Sequence, residues 1–173
     1  MSPEDMLKGY TLEGNWEEVK KLYYLDPKFS TIEINKSRGT ALHVAVNDCN
    51  EEVVKSLVNS ILSHNNSEAL KCKNEKGDTP LHLAASRGFK DICECIIGEG
   101  GERKDLIDID NKNGETPFFL AALSWQKQTF VYLMKFKPGR SDCDGNYSYT
   151  KDLIRSNGDS ILHCAIRTEF FGN

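Results

Sequence analysis

Apolar residues are grouped along this chain in a pattern that recurs four times, each time directly after a glycine. In the first three copies a short apolar cluster is followed by a second apolar cluster and then by a polar segment. The copies begin at Gly39–Ala45, Gly77–Ala85, Gly114–Ala122 and Gly158–Ala165. Their glycines lie 38, 37 and 44 positions apart, and helical repeat proteins have periods of roughly 33 to 47 residues. The pattern therefore predicts an array of similar helical units.

The copy that begins at Gly77 indicates how each unit folds. Thr79 can cap a helix, and Pro80 suits its first turn because proline lacks the amide N–H that the helix would leave unpaired. Gly88 is placed to end this helix. A second helix is predicted by an apolar set with helical spacing: Ile92, Cys93 and Ile96. We therefore expect each unit to be a pair of antiparallel helices.

The other copies keep this pattern with substitutions. Cys49 and Trp125 stand where Gly88 stands, and Phe119 replaces the histidine that the other three copies share. A weaker first unit is indicated by Leu7–Tyr23, in which Gly14 precedes a similar apolar spacing. We expect one domain, residues 1–173, with approximate repeats 3–36, 37–74, 75–111 and 112–155 and an incomplete repeat 156–173.

A dipeptide that ends in glycine precedes each first helix. Glycine readily takes the positive φ that a tight two-residue hairpin turn requires. These dipeptides are Arg38-Gly39, Lys76-Gly77, Asn113-Gly114 and Asn157-Gly158. We expect them at the tips of short β-hairpins, called fingers below, and Cys49, Cys93 and Cys164 on helices.

The motif Thr79-Pro-Leu-His-Leu-Ala84 resembles the T-P-L-H-x-A signature of ankyrin repeat proteins. The resemblance implies an all-α solenoid of stacked helix pairs with short β-hairpin fingers. Three histidines recur at the same place in the repeat, which is typical of a scaffold residue. We predict that His43, His82 and His163 hydrogen-bond the backbone of the adjacent finger and so join neighbouring repeats.

A narrower resemblance rests on Glu13–Leu22, which is followed by Asp26-Pro27, and on three later segments: Lys73–Ala85, Asn113–Ala122 and Asp159–Ile166. These segments are similar to plant ankyrin proteins of the accelerated-cell-death type, which carry a C-terminal membrane-spanning PGG domain. That family implies defence or stress signalling at a membrane, with the ankyrin part in the cytosol. The sequence has no run of roughly 18 apolar residues and no signal peptide. We therefore expect the chain as written in the cytosol and full-length relatives at a membrane.

The last repeat lacks its second helix and a polar outer face, which terminal repeats of such arrays need. It ends instead on apolar residues: Ile161, Leu162, Ile166, Phe170 and Phe171. We expect the chain to be a fragment or a shortened product, and the alternative is that these residues are exposed in the native protein.

Composition excludes several classes of function. The chain has 39% hydrophobic and 28% charged residues, which indicates a folded domain. Its net charge of −4 gives no basic surface for nucleic acid. The six cysteines have irregular spacing, and Cys93 and Cys95 would face different sides of a helix, so we expect reduced thiols and no metal. Apart from the repeat motif, the sequence contains no Gly-rich phosphate-binding loop and no nucleophile paired with a general base. We expect neither catalysis, nor a cofactor, nor a small-molecule substrate.

The remaining hypothesis is a protein-binding scaffold that uses the concave surface of finger tips and first helices. Its candidate contacts at the tips are Lys76, Asp78, Lys112, Glu115, Asn157 and Asp159, and those along the helices are Asp48, Asn50, Arg87, Phe89 and Gln126. For each residue the alternative is a merely solvated side chain. The long connector 135–156 is either a plain loop or a further contact. A second hypothesis is an intramolecular module that docks on a missing C-terminal membrane domain and regulates it.

Overall fold

The structure, a computed structural model, describes residues 2–137, 153–155 and 157–160 and the backbone of 140–141 and 147–148. Its helices are α1 Pro3–Glu13, α2 Trp16–Leu25, α3 Ala41–Asn47, α4 Glu51–Ser63, α5 Pro80–Arg87, α6 Lys90–Ile97, α7 Pro117–Leu123 and α8 Lys127–Met134. The strands are β1 Glu33–Asn35, β2 Gly39–Thr40, β3 Arg140–Ser141 and β4 Tyr147–Ser148. Short 3₁₀ segments, Pro27–Thr31, Ser67–Lys71 and Lys104–Asp108, follow three of the second helices.

The helices form four pairs, α1 with α2, α3 with α4, α5 with α6 and α7 with α8. First helices pack on first helices and second helices on second helices, which produces two layers. One hydrophobic core runs between the layers from Leu7 to Leu133. Ala45, Ala84 and Ala121 are fully buried at the same repeat position, where a small side chain lets the neighbouring helix approach. The predicted all-α solenoid of stacked helix pairs is confirmed.

The turn within each helix pair has one conformation throughout. Gly14, Cys49, Gly88 and Trp125 have φ of 71°, 54°, 79° and 58°. The following amide then bonds the carbonyl five residues back, as Phe89 does to Ala84 at 3.0 Å, and this ends the first helix. Gly88 therefore acts as predicted, and Cys49 and Trp125 take its place. The prediction that Cys49 packs on a helix is wrong, because the left-handed turn leaves it exposed.

The fingers differ from the predicted two-residue turns. In the third repeat the N–H of Gly77 donates to the Asn74 carbonyl at 2.9 Å, and only the glycine, the last residue of this turn, has positive φ. The Asn74 side chain accepts from the amides of Lys76 and Asp78 at 2.9 and 3.0 Å. Among the described fingers, that of β1 and β2 forms a strand pair with a bulge, and that of the last repeat has a single antiparallel bridge between Ile154 and Ser160.

Two sequence predictions fall on segments that the structure does not describe. The second half of the incomplete repeat, with His163 and Cys164, lies outside the described residues, as does much of the connector 135–156. Within that connector β3 pairs with β4 in antiparallel register. The boundaries between repeats stay predictions.

Candidate protein-binding surface

Consecutive fingers are joined through their backbones. The amide of Glu75 donates to the Lys36 carbonyl at 2.8 Å, and the amide of Lys112 donates to the Lys76 carbonyl at 3.1 Å. The two donors, Glu75 and Lys112, occupy the same repeat position, and each bonds the finger of the repeat before. The finger tips therefore stand in a row at fixed spacing.

Buried histidines make a second connection between repeats. Nδ1 of His82 accepts from the Thr79 amide at 3.0 Å, so the ring proton is on Nε2, which donates to the Glu115 carbonyl at 3.0 Å. His43 repeats this arrangement with Thr40 and with the Asp78 carbonyl. The predicted role of His43 and His82 is confirmed.

Both imidazoles are held neutral. Burial lowers the pKa of His43 to about 4 and lowers that of His82 as well. A charged imidazole would need a proton on Nδ1, where a backbone N–H already points at the nitrogen. The histidines are therefore structural parts of the array at neutral pH.

Two candidate contacts, Asp78 and Glu115, are buried rather than presented at the tips. Their exposed fractions are 8% and 4%. The Asn111 side-chain amide donates to Asp78 Oδ1 and to Glu115 Oε2, both at 2.9 Å, and Arg155 pairs with Glu115. The neighbouring finger thus covers both carboxylates. Both carboxylates connect neighbouring fingers, and neither is exposed at the surface where a partner contact was predicted.

Of the predicted tip contacts, Lys76, Lys112 and Asn157 are exposed. Neither lysine forms an ion pair within the described part of the chain, so both ammonium groups face solvent. Asp159 is half-buried, and Asn157 accepts from its amide and donates to its carboxylate, both at 3.0 Å. The tips therefore form a polar row in which Lys76 and Lys112 are unpaired cations.

The other predicted contacts lie at the turns of the helix pairs. Asn50 caps α4 by accepting from the Val53 amide at 3.2 Å, and Asp48 beside it is exposed. Arg87 donates to Asn47, which ties α5 to α3. The Arg87 guanidinium also lies 5.6 Å from the ring centre of Phe89, which is half-buried. The Gln126 side chain lies against Gly88.

The predicted contacts therefore form two rows rather than one cluster. A first helix of about eight residues separates the rows, a length of about 12 Å. The sequence reasoning missed residues that lie within these rows. They are the exposed Glu75 and Asn47 and the half-buried Ser86 and Leu123. Asn47, Ser86 and Leu123 occupy the same repeat position, between the buried alanine and the turn. This recurrence in the sequence could have identified them.

A family model described as ankyrin repeats in three copies matches residues 10–108 and residues 42–146. The chain belongs to the ankyrin repeat family. Within it, the chain is 31% identical over 164 residues to a probable 26S proteasome regulatory subunit p28 of Saccharomyces cerevisiae, covering 92% of this chain and 64% of that protein. It is 34% identical over 116 residues to human protein phosphatase 1 regulatory subunit 27, covering 66% and 68%.

Two further comparisons bear on the fold and on the narrower resemblance. The Arabidopsis thaliana protein ACCELERATED CELL DEATH 6 is 25% identical over 169 residues, which cover 92% of this chain and 25% of that protein. A chain of the crystal structure of yeast ribosomal protein Rps3 in complex with its chaperone Yar1 superposes with a TM-score of 0.65 at 23% identity. That likeness covers 78% of this chain and 92% of that chain and shows the shared fold.

Two features are absent from the described residues. None of the helices is long and apolar enough to cross a membrane. No group of three or more His, Cys, Asp or Glu side chains in this part of the chain is placed to hold a metal ion.

Proposed function

We propose that this chain is a non-catalytic scaffold in the cytosol that binds a partner protein on the concave surface formed by the finger tips and the first helices. The observation that carries the proposal is the double connection between fingers, through backbone bonds and buried histidines. Such a surface is already ordered before a partner arrives, which lowers the entropic cost of association. Lys76 and Lys112 supply charge to that surface, and the relatives named as regulatory subunits support a binding role.

The proposal is tested by placing a photo-crosslinking amino acid at position 76 or 112 and, as a control, at exposed Lys21 on α2. In a native cell extract we expect the same protein to be captured from positions 76 and 112 and not from position 21. Binding should then weaken in the double variant K76E/K112E. Capture of one protein equally from all three positions, or no capture from the tips, contradicts the proposal.

A second function is favoured by the likeness to ACCELERATED CELL DEATH 6 over 92% of this chain. In this alternative the repeats dock on a membrane domain of the same polypeptide and regulate it in plant defence or stress signalling. Its test is to sequence the transcript beyond the codon of Asn173. If membrane-spanning segments are encoded there, the purified domain should bind them when they are supplied separately in detergent, and absence of such segments rules the alternative out.

A further inference from the structure

The outer layer of second helices carries an open groove of about 700 Å³ between α6 and α8. It lies on the layer opposite the first helices and fingers, so it is separate from the surface in the proposed function. It is lined by Lys127, Gln128 and Val131 of α8, by Lys135 directly after that helix, and by Lys90 and Asp91 of α6. Tyr132, only 5% exposed, forms part of its lining.

Two residues of α8 and Lys135, which caps the helix in helical conformation, form a regular row along this groove. Lys127, Val131 and Lys135 are spaced by four positions, which places them on one helix face in steps of about 6 Å. Val131 is 43% exposed. The row therefore presents a cation, an apolar side chain and a second cation in sequence.

The charges at the two ends of the row are available to a ligand. Lys127 and Lys135 are exposed, and neither has a carboxylate partner within the described residues. Lys90 differs, since its ammonium lies 3.4 Å from both Asp91 and Glu94. Two unneutralised cations thus flank Val131 in a chain whose net charge is −4.

The neighbouring groove on the same layer has the opposite character. Between α4 and α6 the lining includes Glu51, Asp91, Glu94 and Glu99 against the single cation Lys55. The groove between α6 and α8 has three lysines and one carboxylate, Asp91, which lines both grooves. The two grooves therefore differ in the sign of their charge, and complementary charge favours an acidic ligand between α6 and α8.

We propose that the row Lys127–Val131–Lys135 is a second binding surface that takes an extended acidic segment of a partner protein, with the pattern acidic, any, apolar, any, acidic. In an extended peptide alternate side chains share one face and are about 6.6 Å apart, which matches the step along α8. The two carboxylates pair with Lys127 and Lys135, and the apolar side chain covers Val131.

The test uses an end-blocked peptide with the single sequence Glu-Gly-Leu-Gly-Glu, titrated into the purified 173-residue chain by isothermal calorimetry at low salt. A scrambled peptide of equal composition places its glutamates next to each other. We expect the patterned peptide to bind more tightly than the scrambled one, and its binding to weaken with salt. K127E and K135E should each weaken it by about three- to tenfold.

The matched control is K104E, the same charge reversal at an exposed lysine outside the groove, and it should bind as the parent chain does. Circular dichroism should show that the three variants remain folded, because these side chains are exposed. Equal binding of both peptides, equal loss in K104E, or no binding overturns the proposal. Self-association that K127E and K135E abolish would assign the row to a second copy instead and overturn it too.

Discussion

His82 and Glu115, 33 positions apart in the chain, are joined by a hydrogen bond of 3.0 Å from the histidine Nε2 to the Glu115 carbonyl oxygen. His43 makes the corresponding bond to Asp78. In both cases the acceptor belongs to the finger of the following repeat. A buried imidazole therefore connects each of these repeats to the next, and several properties of the array should depend on it.

Replacing His82 by alanine should lower the free energy of unfolding by about 1 to 3 kcal/mol, because the buried Thr79 amide and Glu115 carbonyl lose their partner. Urea denaturation measures this difference. The control is His64→Ala, since the ring of His64 bonds the Ser60 carbonyl in its own helix at 2.9 Å. We expect that change to cost less than about 0.5 kcal/mol, and equal losses would contradict the role assigned to His82.

Stability should fall in mild acid because of the buried histidines. The pKa of His43 is lowered by burial from 6.5 to about 4, so the unfolded chain takes up a proton at a higher pH than the folded chain does. Its contribution is complete above about pH 6.5 and is lost as the pH falls from there towards 4, by roughly 3 kcal/mol in total. Urea unfolding at several pH values should show a shallower decline in His43→Gln. An unchanged decline in that variant would exclude His43 as its source.

Replacing Trp125 by glycine should stabilise the chain by up to about 1 kcal/mol. Trp125 is 74% exposed and holds a φ of 58°, which costs a residue with a Cβ about 1 to 2 kcal/mol, whereas glycine pays a smaller entropic cost. The opposite change at the same turn position, Gly88→Ala, should destabilise, since a φ of 79° is strained for a residue with a Cβ. Thermal unfolding of both variants should give shifts of opposite sign, and shifts of the same sign would contradict this account.

Asn111→Ala should destabilise more than Asn74→Ala. Both side chains accept two backbone amides within their own finger, but Asn111 also donates to the buried Asp78 and Glu115. We expect Asn111→Ala to cost about 1 to 3 kcal/mol beyond the loss in Asn74→Ala, because two buried carboxylates lose a donor. Urea unfolding of the two variants isolates that contribution, and equal losses would show that the bridge between fingers adds no stability.

Local sequence patterns were sufficient for the helix pairs and their turns. Pro80 begins α5, Gly88 ends it, and the same slot is filled by Cys49 and Trp125 with positive φ. These features depend on residues a few positions apart, because capping and turn conformation are local. The period of the pattern likewise predicted the stacking, since a single helix pair cannot bury its apolar face.

What the sequence by itself determined is thus the repeat, its helix pairs and the recurring histidines. Only the tertiary structure decided which polar residues reach solvent. Asp78 and Glu115 stand beside the predicted tips, yet Asn111 and Arg155 from neighbouring fingers cover them. The row of Lys127, Val131 and Lys135 lines a groove that exists only because α6 and α8 pack side by side. The reason is physical: burial and charge pairing depend on contacts between segments more than 30 residues apart, which no local pattern contains.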